Sequence, residues 1–345
     1  MAANAVSFFY WPQVWIGELP FKEWEMLSHP KEGEDTPETE LLEPSLLGEE
    51  VFRKKLKCGI SVKVLRQGSF HFDFSDWEPG KIEDDKISHG KKMEKITNRL
   101  LVINTYLVLL YYLNSLDKGP YLRKLIITPK ELQTTSTLDN EKSRSFTDPF
   151  THHLFDLKSR KTTFHLTDWR LSQNKVAMRT INNSFRTLDN ITINNDLSRL
   201  AMFDLMNRSY KAYEELDFNK CLVNCWIIIE QILSNLWEIF IKNNKIKKIN
   251  GKEKVVINRS RKDRLMRHDI FTASVKLEIL TLTNVLPFEL FDLIDTVRKA
   301  RNKWMHSMED VDNKKAYEAI RTVEAMQTFF DGINIKIPVQ YLIIT

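Results

Sequence analysis

PFELFDLIDTVRKARNKWMHS, residues 287–307, is the stretch from which the C-terminal half of this chain can be read. Phe288, Phe291, Ile294, Val297 and Met305 recur at helical spacing, which predicts one amphipathic helix with these side chains on its apolar face and with Trp304 and Met305 in an interface or the core. Pro287 suits the first turn, where its missing N–H costs nothing. The helix closes on Arg301, Asn302 and, five positions after the arginine, His306. A guanidinium, a polar side chain and an imidazole so close together form a candidate constellation for acid–base chemistry on a phosphate.

The bare pattern is not specific. Arg66/His71 and Arg160/His165 have the same spacing, and Arg261/His268 has a longer one. The first two pairs lie in stretches that read as strands, and the third lies in a basic loop. Only Arg301/His306 ends a long apolar-periodic helix with further helices before and after it.

Three segments carry a resemblance. They are RKARNKWMH at 298–306, LVNCWIIIEQIL at 222–233 with its Glu230, and KLEIL at 276–280. With them, residues 197–331 resemble a HEPN domain of the Apea-like branch. The resemblance implies an all-helical fold that dimerises so that two Arg-His pairs meet in one cleft. It also implies metal-independent cleavage of RNA, with Arg301 and His306 catalytic and Asn302 orienting the histidine or substrate. Arg298, one turn before Arg301, is an expected phosphate contact, and no cofactor or metal is required. Because residues five apart on a helix point about 140° from each other, a second copy would also answer a geometric difficulty. HEPN domains that bind or dimerise without nuclease activity keep a second reading open, a non-catalytic RNA- or protein-binding dimer.

A chain of 345 residues suggests about two domains. With 42% hydrophobic and 28% charged residues it can build real cores and is too apolar for a disordered protein. A net charge of +5 does not by itself argue for a nucleic-acid partner. Three cysteines are too few for a disulfide framework, and Cys221 and Cys225, four apart in an apolar run, read as packing residues. The start of the chain lacks a basic n-region, and the apolar run at 100–113 is shorter than the ~20 residues of a membrane span. A cytoplasmic protein with no membrane partner is the expectation.

Residues 1–190 read as a mixed α+β domain of unknown role, a candidate site for a regulatory ligand or protein. Strands or a hairpin are expected around Gly17, a solvated acidic loop at 31–50, strands at 59–74 on either side of Gly68, and a helix at 90–116. Further strands are expected at 122–128, 162–169 and 176–180. Trp11, Trp15, Trp24, Trp77 and Trp169 read as core. His152 and His153 near Asp148 and Asp156, and His71 near Asp73, lack a ligand spacing known for metals. The Asn-rich residues 182–195 read as the junction to the second domain, 196–332.

In that domain Asp196 can cap the first helix. The second helix, 219–242, carries a solvent stripe of Asn224, Gln231, Asn235 and Glu238. Glu230 lies about 120° from Asn224, among Trp226, Leu233 and Trp237. A carboxylate there pairs with a buried cation, such as an arginine of the motif helix, or lines a cleft. Residues 245–269 hold ten Lys/Arg against three acids. Lys252, Lys254, Arg259, Arg261, Lys262 and Arg264 are therefore candidate RNA contacts. A helix at 313–330 stops at Gly332, and 333–345 alternates as an edge strand. The expected architecture is an α+β domain followed by an all-α HEPN-like helical bundle with a C-terminal edge strand.

Overall fold

A computed structural model describes residues 4–9, 14–17, 48–82, 88–119, 122, 126–135, 138, 144–145, 175–249 and 252–336. The chain forms two compact units, Met1–Asn207 and Arg208–Thr345.

Among the described residues of the first unit six strands form an antiparallel sheet, and two more pair separately. They are β1 (Ala5–Phe9), β2 (Trp15–Ile16), β3 (Glu50–Lys55), β4 (Ser61–Leu65), β5 (Ser69–Asp73), β6 (Gln133–Thr135), β7 (Arg144–Ser145) and β8 (Lys175–Val176). The sheet order is β3-β4-β5-β1-β6-β7, while β2 pairs with β8 in parallel. The period-two pattern at 59–74 is the β4–β5 hairpin, with Val62 opposite Phe72 and Val64 opposite Phe70. Gly68 closes it at φ +77°, and a Cβ there would meet the Val14 backbone. Of the strands expected around Gly17, β1 pairs with β5 and β6 and β2 with β8, while residues 18–47 lie outside the description.

Two helices, α1 (His89–Leu116) and α2 (Met178–Thr192), pack on each other and on the sheet. Tyr106 of α1 stacks on Phe185 of α2 at 4.3 Å and meets the rings of Phe70 and Phe72. Trp15 and Trp77 are buried as expected; Trp11, Trp24 and Trp169 lie outside the described residues, as do the acidic residues 31–47, the strand expected at 162–169 and His152/His153. Among the described residues α1 is the one helix long and apolar enough to cross a membrane, and most of that apolar window is buried. Its Arg99 is also buried. The guanidinium donates to the Gly80 carbonyl and to Asn4, each at 2.7 Å, and burial lowers its pKa to about 10 despite nearby Asp73.

The Asn-rich stretch is not a junction. Ile181, Phe185, Leu188 and Ile191 recur at helical spacing and are fully buried as the inner face of α2, so Asn182, Asn183 and Asn190 occupy a helix and Asn194 and Asn195 the turn after it. The boundary falls instead inside α3 (Leu197–Glu214), which Asp196 caps by accepting from the Arg199 N–H. Of the strand expected at 176–180 only Val176 lies in a strand, and no strand covers the described part of 122–128.

The second unit is mostly helical. It contains α4 (Phe218–Asn243), α5 (Arg259–Leu265), α6 (Ala273–Leu282), α7 (Phe288–Ser307) and α8 (Asn313–Asp331), with a hairpin of β9 (Ile246–Ile249) and β10 (Lys252–Val255) after α4. α8 packs along α4, and α7 packs on both. Cys221 Sγ lies 3.9 Å from the Ala316 carbonyl, so α4 and α8 start at the same end. α7 ends there too, since Asn219 of α4 accepts from the Val311 N–H in the short connection to α8. Gly332 caps α8 at φ +68°. The described part of the expected C-terminal strand, residues 333–336, is not extended into a sheet, although Ile335 is buried; residues 337–345 lie outside the description.

Candidate functional site

α7 is helical without a break through Ser307, and Met308 ends it in the left-handed region at φ 51°. Its buried face is Leu290, Ile294 and Val297. Phe288, on the apolar face by period, is exposed, and so is Met305, which reads from the sequence as interface or core. At 100° per residue Arg301 falls on the continuation of the Leu290–Ile294–Val297 stripe, which is why it is half-buried. His306 falls about 140° away and is exposed on the last turn. The regular helix therefore keeps arginine and histidine on different faces.

Asn302 stands between the two on the helix surface. It stands one turn before His306, on the same face, and its Oδ1 accepts from the Arg301 guanidinium at 3.1 Å. The loop after the motif is held from several sides. Asn219 accepts from the Val311 N–H at 3.0 Å, and Lys315 pairs with Glu309 and Asp312. Met305 and Met308 are exposed beside His306.

Arg298 is already engaged. Its guanidinium binds Asp295 at 2.6 Å, and Lys299 reaches the other oxygen of the same carboxylate at 2.7 Å. The Lys299 bond, with the Arg298 bonds behind it, lowers the Asp295 pKa although burial opposes this. A folded pKa below the unfolded one gives stability that is complete above the ordinary value of 3.8 and fades as pH falls through the lower, folded value. Asp295→Asn is therefore expected to cost about 1 kcal/mol at pH 7. Urea melts at pH 7 and below pH 3 check this, since the gap from wild type should close in acid.

Glu230 is not buried among Trp226, Leu233 and Trp237. It is exposed at the edge of α4's solvent face. The cation near it is Lys276 of α6, not an arginine of α7. Lys276 is buried and donates to Ser234 Oγ at 3.1 Å; burial lowers its pKa, against the nearby charges of Glu230 and Glu238. Because Glu230 is exposed, Glu230→Gln is expected to change stability by less than about 0.5 kcal/mol. A matched urea melt checks it.

The basic stretch is not a loop. It is the β9–β10 hairpin followed by α5, whose N-cap Asn258 accepts from the Arg261 N–H. Lys252 and Lys254 lie on one face of β10, while Arg259, Arg261, Lys262 and Arg264 are exposed on α5. Trp237 fixes this arm to the C-terminal part of α4, donating to the Leu265 carbonyl at 2.8 Å and stacking on Phe271. The motif lies at the other end of α4. From Asn219 to Glu238 is nineteen residues of one helix, about 28 Å. Within one chain the arm and the Arg301/His306 motif are thus far apart. Sequence reading missed the hairpin, although Asn250-Gly251 between IKKI and KEKV is its signal.

Among the described residues no group of three His, Cys, Asp or Glu side chains could hold a metal. Cys221 and Cys225 are buried, and Cys225 together with burial pushes the Cys221 thiol well above its ordinary value. His71 shares a hydrogen bond with Ser69 Oγ, while Asp73 accepts from Ser75. No model of a protein family matches the chain, and neither a curated protein nor a solved structure does.

Proposed function

We propose that the chain is a metal-independent endoribonuclease of HEPN type that works as a homodimer. The observation that carries this reading is the last turn of α7, where Arg301 is hydrogen-bonded to Asn302 and Asn302 stands one turn from an exposed His306. RNA carries its own nucleophile, the 2′-hydroxyl. An imidazole takes that proton as the oxygen attacks phosphorus, and an imidazolium returns a proton to the departing 5′-oxygen. The products are a 2′,3′-cyclic phosphate and a free 5′-hydroxyl. A guanidinium fork stabilises the charge that grows on the phosphorane oxygens.

One histidine does not readily serve as base and acid in the same turnover, and on a regular helix Arg301 and His306 face apart. A dimer supplies the second histidine and brings an arginine to face it. Exposed Met305 and Met308 beside His306 suit such an interface, because unbranched thioether side chains adapt to irregular contacts. A cytosolic ribonuclease needs restraint, and the first unit is a natural place for a regulatory ligand or protein. Host defence or growth arrest is the corresponding biological role.

A second reading, a non-catalytic RNA- or protein-binding dimer, is favoured by one observation: half-buried Arg301 continues the packing stripe of α7. The deciding experiment incubates the purified dimer with mixed RNA in EDTA and identifies the ends produced. Cyclic 2′,3′-phosphates support the nuclease, and intact RNA with retained RNA binding supports the module.

A further inference from the structure

At the C-terminal end of α4, a cavity of about 610 Å³ opens between this helix and the basic arm. Four cations line it, Lys242 from the last turn of α4, Lys245 just after that helix, and Arg259 and Lys262 from α5. None of the four forms an ion pair among the described residues, although Glu238 shares the wall. Apart from Asn258 the remaining lining is apolar, with Ile239 (46% exposed) and Met266 among it. A groove that only tracks phosphates needs cations alone. Cations around an apolar wall fit a phosphate joined to a flat, weakly polar ring, and the volume lies in the range of ligand pockets.

We propose that this pocket seats one nucleotide of a single-stranded RNA whose other part lies at the Arg301/His306 end of the unit. The inference rests on the ribonuclease reading for the identity of the polymer, and on α4 for the distance. About 28 Å separates the two ends, which is about eight nucleotides at the 3.4 Å spacing of a stacked strand. Affinity therefore depends on RNA length, and a strand of four nucleotides reaches only one end.

Fluorescence anisotropy on the full chain tests this with 2′-O-methyl oligouridylates of four and twelve nucleotides, which cannot be cleaved by 2′-hydroxyl attack. The twelve-mer is expected to bind at least ~10-fold more tightly than the four-mer. The Lys242→Ala/Lys262→Ala protein should lose that advantage, with its log–log salt slope shallower by about 1.4 for two lost phosphate contacts. Both lysines are surface side chains, and a matched thermal melt verifies folding. Lys91→Ala, in the first unit, should change neither quantity. The proposal is overturned if the double variant keeps the full length dependence, or if uridine monophosphate alone binds as tightly as the twelve-mer. Because binding is the readout, absence of RNA cleavage by wild type would count against the nuclease and leave this pocket standing. Retained cleavage with no length dependence would do the reverse.

Discussion

On the proposed ribonuclease reading, RNA cleavage by the His306→Ala protein is expected to fall by roughly 10²–10⁴-fold in kcat, the usual contribution of a positioned general acid or base. Folding should not change, since His306 is exposed on the last turn of α7. Arg301→Ala is expected to lose roughly 10²–10³-fold through the phosphorane, and to release Asn302 Oδ1 from its donor. Arg301→Lys separates charge from geometry. Lysine keeps the positive charge without the planar fork, so it should recover only part of the lost rate. Assays in EDTA with end-group identification, beside sedimentation to verify the dimer, make the comparison. Cleavage that persists in His306→Ala would sink the catalytic assignment.

The second large effect is on stability. Glu324 is almost fully buried on α8, accepts from the Tyr210 hydroxyl at 2.6 Å and pairs with Arg321. Arg321 also lies over the Tyr317 ring at 4.8 Å. Removing one partner of such a buried network leaves the others poorly compensated, so Glu324→Ala is expected to cost about 3–5 kcal/mol. Glu324→Gln keeps an acceptor for Tyr210 but loses the charge, and should cost about 1–3 kcal/mol. Burial, then the charge of Glu324 and its hydrogen bond, raise the Tyr210 pKa well above 10. A raised folded pKa means full stabilisation below the unfolded value and its loss above, so this contribution should decline as pH rises past 10. Urea unfolding from pH 6 to pH 11 checks the variants and the pH dependence together. Equal stability of Glu324→Ala and wild type would show that the network contributes nothing net.

Much of the fold was legible because its signals are local. The alternation at 59–74 returned as β4 and β5, the helical period at 287–307 as α7, and the Asp196 and Gly332 caps as the edges of α3 and α8. Errors arose where composition outweighed period. Asparagines at 182–195 suggested a linker, yet Ile181, Phe185, Leu188 and Ile191 bury a helix face. Charge at 245–269 suggested a loop, yet the stretch forms a hairpin and a helix. Glu230 was misplaced for another reason: helical angles order the faces of α4 but do not say where its solvent face ends, which depends on how α6 covers it.

By itself the sequence determined the two-part organisation, the strands of the Phe-rich hairpin, and an arginine, an asparagine and a histidine at the end of one helix. Those follow from periodicity and from residue chemistry, which act over a few positions. Tertiary structure decided that Arg301 continues a buried stripe while His306 stands in solvent, and that Asp295 already holds Arg298. It also decided that the basic arm lies at the far end of α4 from the motif, because Asn219 anchors one end and Trp237 the other. Distances of that kind depend on which helices pack and in which direction they run, and no local pattern encodes them.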